Sequence, residues 1–135
     1  MAKPPTIVDL KWIGDLRYEA TSASAALTID GASIAGPSPV QALGIAIAGC
    51  MTADVTHILT RGRHQVRALR AHLVADRAQD DPHRFVRMAL HLAVEGDMPG
   101  DAVSRAIALS REKYCSVWHS MRQDIDFQVT FDVLA

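Results

Sequence analysis

Along the first third of the chain, apolar positions come in short runs broken by turn residues. Ile7, Leu10 and Trp12 mark a short strand that ends at Gly14-Asp15. Residues 17–20 and 25–29 read as two further strands, Asp30-Gly31 as a turn, and residues 32–38 as a loop punctuated by Gly36-Pro37. Ser38-Pro39 has the chemistry of a helix start, with Ser as N-cap and Pro at the first helical position. The helix should run from Pro39 to about Thr60 and close on Arg61-Gly62-Arg63. As far as Met51 its residues are apolar almost all round, which predicts burial on every side.

The second half of the chain repeats this alternation of periods. Residues 66–75 suggest a strand. Residues 84–94 suggest a clearer one, with Val86, Met88, Leu90, Leu92 and Val94 on one face and Arg87, His91 and Glu95 on the other. Asp80-Asp81-Pro82 supplies the turn between them. After Met98-Pro99-Gly100-Asp101 a second helix begins, with Val103, Ile107 and Tyr114 on its apolar side. Ile125, Phe127, Val129, Phe131 and Val133 then alternate as a half-buried strand. Strands and helices do not alternate strictly, so the pattern fits an α+β fold, one domain over residues 1–135. One subunit of this size cannot cover a helix on all sides, which predicts a homodimer.

Composition narrows the function classes. Lys and Arg number 14 against 15 Asp and Glu, a balance that does not suit a nucleic-acid binder relying on bulk positive charge. The longest apolar run, residues 42–51, is too short to span a bilayer, and no signal-peptide pattern opens the chain. A cytoplasmic protein without a membrane or nucleic-acid partner is expected. The six histidines form no His-x3-His or HExxH pair and the cysteines no paired zinc spacing, so neither a metal nor an organic cofactor is expected.

Two cysteines remain, Cys50 inside the first helix and Cys115 at the end of the second. On spacing alone each reads as an ordinary buried cysteine, a small hydrophobe in the core. The alternative is thiol chemistry. A thiolate attacks a peroxide oxygen and becomes a sulfenic acid, and a second thiol condenses with it to a disulfide. Such a site needs a lowered thiol pKa. Cys50 stands about three turns into its helix, too far for the helix N-terminus to help, so a cation must come from elsewhere.

The residues around both cysteines carry a resemblance. Pro37-Ser38-Pro39-Val40-Gln41, Ala46-Ile47-Ala48-Gly49-Cys50, Asp54-Val55 and Ile58-Leu59 resemble the central helix of the OsmC-like family. Residues 110–117, Ser-Arg-Glu-Lys-Tyr-Cys-Ser-Val, are similar to its second cysteine motif. The likeness covers almost the whole chain and is nearest to the YhfA-like branch. It implies an intertwined homodimer in which long central helices are wrapped by antiparallel sheets, with active sites at the subunit interface. It also implies a thiol peroxidase acting on organic hydroperoxides and hydrogen peroxide, re-reduced by an external dithiol. Cys50 matches the peroxidatic position and Cys115 the resolving one. Two positions depart from the family pattern. Where its peroxidases carry Glu directly after the Pro that begins the helix, this chain has Val40. The Arg that this Glu orients has its nearest candidate in Arg17, about two positions off the usual alignment. Gln41 is a candidate for the missing hydrogen bond. A binding or redox-sensing protein on the same scaffold is the second reading.

Among the remaining residues, His57 lies two turns beyond Cys50, roughly 10 Å away and out of reach as a direct base. His119 faces the same cleft only if the second helix continues past Cys115. Trp12 and Trp118 read as packing residues, with Trp118 a candidate pocket wall.

Overall fold

The computed structural model describes residues 2–135. The chain divides into two compact units, Met1–Leu43 and Gly44–Ala135, and the boundary falls inside the long helix.

In the first unit, β1 (Asp9–Gly14), β2 (Arg17–Ser22) and β3 (Ala25–Asp30) form an antiparallel meander in that order. Gly14, with φ of +123°, and Asp15, with φ of 46°, make the first turn, a left-handed corner that glycine adopts without strain. Asp30 closes the third strand. Its carboxylate accepts hydrogen bonds from the backbone N–H groups of Ala32, Ile34 and Ala35, and these bonds hold its pKa below the ordinary carboxylate value.

The sheet buries little within one chain. Leu10 is 56 % exposed, Trp12 63 % and Leu27 50 %, while Ala20 is the buried apolar residue of β1–β3. A large apolar face is therefore left unpartnered in the single chain.

Helix α1 runs Pro39–Arg61, as the Ser-Pro start predicts. Its entry is a reciprocal capping box. The Gln41 N–H donates to Ser38 Oγ at 3.1 Å, and Gln41 Oε1 accepts from the Ser38 N–H at 2.9 Å and from Ser33 Oγ at 3.0 Å. Within one chain the helix is not covered all round. Ile47, Met51, Val55 and Leu59, spaced by four, are fully buried, whereas Leu43 and Ile45 stay 41 % and 62 % exposed. In the single chain the burial is confined to this one stripe, and covering the rest of the helix would fall to a second copy of the chain. By length and composition α1 could also cross a membrane, although its longest unbroken apolar run is short for a span; 22 % of the stretch is buried in the single chain.

In the second unit, β4 (Val66–Arg77) and β5 (Phe85–Gly96) form a long antiparallel hairpin. Helix α2 (Gly100–Leu109) then carries the chain over to β6 (Asp126–Leu134), which pairs parallel to β5. This sheet is therefore mixed, not wholly antiparallel: a crossover helix returns the chain in the same direction, as parallel neighbours require. β5 lies between its two partners and alternates from Met88 onward, with Met88, Leu90, Leu92 and Val94 at most 1 % exposed, while at its start a register shift buries Phe85 in place of the expected Val86. Val103 and Ala106 of α2 join this core, as do Trp118 and Phe127, whose rings meet at 4.8 Å. The α+β class holds.

Candidate redox site at two cysteines

The second helix does not run on to Cys115. From Ser110 to Tyr114 it widens into a π-helical turn, and Cys115 follows in extended backbone (φ −72°, ψ 97°). The Cys115 N–H bonds to the carbonyl of Ser110, five residues back, at 2.8 Å. One extra residue in the turn rotates the side chains that follow. Tyr114, expected on the apolar side, is 50 % exposed, and Cys115 is wholly buried.

The carbonyl of Arg111, the partner an α-helical Cys115 N–H would have had, instead accepts from His119 Nε2 at 3.0 Å. His119 is thus a local clasp for the π turn. The Arg111 side chain folds back to donate to the Phe127 carbonyl, and its guanidinium lies 5.6 Å and 5.0 Å from the Trp118 and Phe127 rings. Cys115 also caps a short helix, α3 (Ser116–His119), its sulfur accepting the Trp118 N–H at 3.4 Å. Trp118, 4 % exposed, is a packing residue as read, and His57 is exposed on α1.

These turns bring the two cysteines together across 65 positions of sequence. Cys50 Sγ, Cys115 Sγ and a carboxylate oxygen of Asp54 all lie within 4.8 Å of one another. Cys50 is half-buried and Cys115 buried, and both are free thiols. Asp54 stands four residues after Cys50, one turn along the same face of α1. The fully buried hydroxyl of Ser110 donates to Asp54 Oδ2 at 2.7 Å and fixes the carboxylate.

Burial pushes the Cys115 thiol up to about 11; the Trp118 N–H works against this, while the Cys50 thiol and the Asp54 charge raise it further. At neutral pH Cys115 is therefore a protonated, buried thiol beside a more accessible one.

Asp54 and Ser110 stand in the two motifs that carry the resemblance, but the sequence assigned neither a role at the site. The available signal was Cys50-x3-Asp54, a helical i, i+4 pair. Ser110 carried none, because its place depends on the π turn. Arg17 lies in the first unit, where its guanidinium faces Asp15 at 3.7 Å and lowers the pKa of Asp30 opposite it on β3. Gln41, considered as a substitute for the missing glutamate, has its carbonyl oxygen committed to the capping box.

The family model for OsmC-like proteins matches residues 30–130. This chain belongs to the OsmC-like family. Protein YhfA of Escherichia coli strain K12 is 35 % identical over 129 residues, covering 93 % of this chain and 96 % of the relative. A hypothetical protein from Aquifex aeolicus VF5 superposes with a TM-score of 0.90 at 23 % identity, covering 97 % of each chain. An organic hydroperoxide resistance protein OsmC from Legionella pneumophila superposes with a TM-score of 0.73 at 16 % identity, covering 98 % of this chain and all of that one. At those identities the two structural likenesses speak for the OsmC-like fold alone.

Proposed function

We propose that this OsmC-like chain reduces organic hydroperoxides and hydrogen peroxide by two-cysteine chemistry, with Cys50 attacking and Cys115 resolving. The observation that carries the reading is the convergence of the two sulfurs within one unit, at no more than 4.8 Å. Their environments suggest the order. Cys50, half-exposed, is the sulfur a peroxide can reach. Cys115, buried and held as the thiol, suits a second step after Cys50 has been oxidised. The Legionella pneumophila neighbour is known as an organic hydroperoxide resistance protein, which agrees with this direction.

In the first step the Cys50 thiolate takes the distal peroxide oxygen. The O–O bond breaks, and the alcohol, or water from hydrogen peroxide, leaves after protonation. Cys115 then attacks the sulfenic sulfur of Cys50. The S–O bond breaks as the S–S bond forms, and the oxygen departs as water. Asp54 lies beside both sulfurs, where it can take the Cys115 proton and return it to the departing oxygen. An external dithiol restores both thiols by two exchanges.

Arg17 is the proposed activating cation for Cys50, and a second copy of the chain the proposed partner. Reduced free thiols fit a cytoplasmic setting.

The second reading is a redox-sensing or small-molecule-binding protein without efficient turnover. Its support is Asp54, a carboxylate where a cation would better favour a thiolate, together with Val40 in place of the family's glutamate.

A coupled assay with cumene hydroperoxide and a panel of dithiols separates the readings. Sustained consumption that is lost in Cys50→Ser supports the peroxidase. A single stoichiometric oxidation without turnover supports the sensor.

A further inference from the structure

We infer that Cys50, Asp54 and Cys115 of the reduced protein form a binding site for one thiophilic divalent cation of the zinc class. This does not depend on peroxide turnover. Three ligand atoms that lie pairwise within 4.8 Å leave a point no more than about 2.8 Å from all of them. Zinc bonds of about 2.3 Å to sulfur and 2.0–2.2 Å to carboxylate oxygen are thus reached by side-chain shifts below roughly 1 Å.

The donor set selects the ion. Two sulfurs and one oxygen suit zinc or cadmium, whereas magnesium and calcium require shells of oxygen. Three protein ligands leave a fourth position open for water or a small ligand.

The surroundings are those of a built site. Ser110 Oγ, fully buried, holds Asp54 Oδ2 at 2.7 Å, which orients the carboxylate as an outer-shell hydrogen bond does in metal centres. The Trp118 N–H already points at Cys115 Sγ, a contact that stabilises a thiolate. Half-exposed Cys50 gives the ion a way in. The ligands come from one turn of α1 and from the residue after the π turn, which is why no linear metal motif marks them.

Cation binding and disulfide formation use the same two sulfurs and exclude each other. An ion in the site would protect the thiols, and oxidation would expel it.

Anaerobic titration of the reduced full-length protein with Co²⁺ tests the inference. The expected result is a sulfur-to-cobalt charge-transfer band saturating at one ion per chain and abolished by Zn²⁺. The band should vanish in the Cys50→Ser, Cys115→Ser double variant, and affinity should fall about 10- to 100-fold in Ser110→Ala, which keeps all three ligands. Absence of the band in reduced wild type, or its survival in the double variant, would overturn the site. X-ray absorption at the zinc edge of the Zn²⁺-loaded wild type needs no variant to fold. Two sulfurs per zinc support the site; one or none refutes it.

Discussion

Cys115 owes its chemistry to where the chain hides it. Burial, the largest cause, pushes its thiol up to about 11, so the proposed closing step would need a proton acceptor, and Asp54 is the carboxylate at hand. This gives a prediction with a definite sign. Without a base, closure of the Cys50–Cys115 bond should track the Cys115 thiolate fraction, climbing about tenfold per pH unit until the Cys115 pKa is reached, which loss of the Asp54 charge and of the Cys50 thiol would lower. With Asp54 acting as base, closure should be much flatter across neutral pH. Rapid mixing of pre-oxidised protein at several pH values should therefore show Asp54→Asn slower than wild type by about 10²-fold or more near pH 7, converging with it at high pH. The first, sulfenic-acid-forming step should change far less. An equal loss in both steps would assign Asp54 a role in folding or in Cys50 activation instead.

At the scale of elements, the start of α1 has a checkable energetic content. Ser38→Ala removes the acceptor for the Gln41 N–H and should cost about 1 kcal/mol in a denaturant titration, with little effect on thiol chemistry. This is also where the sequence was most legible. Ser38-Pro39 announced the helix through local chemistry, and the period-two run from Met88 to Val94 announced the central strand, because that strand is buried on one face along its length. Legibility failed where structure depends on distant partners. The parallel pairing of β5 with β6 is a matter of connection, which alternation along a strand cannot encode. In the π turn the Cys115 N–H donates to the Ser110 carbonyl and the His119 imidazole to the Arg111 carbonyl, and no helical periodicity foretells it. That turn decides which of Tyr114 and Cys115 faces inward. Both cysteines could thus be given a role from the sequence, whereas Asp54 and Ser110, present in the same motifs, could not be placed beside them.

For the whole molecule, several large apolar side chains stand exposed on the single chain. Leu10, Trp12, Leu27, Ile34 and Ile45 are each at least half exposed. A homodimer is the expected outcome, so sedimentation at micromolar concentration should give twice the chain mass. Leu10→Lys with Trp12→Ser should shift the protein toward monomer or aggregate. A wild-type monomer would leave that face unexplained.

The central claim is that two sulfurs 65 residues apart in sequence act as one redox unit. Peptide mapping by non-reducing mass spectrometry, after treatment with one equivalent of cumene hydroperoxide, tests it most directly. Wild type should show an intrachain Cys50–Cys115 disulfide, and Cys115→Ser a trappable sulfenic acid on Cys50. Peroxide consumption that leaves the two cysteines unlinked, or that persists in Cys50→Ser, would contradict it.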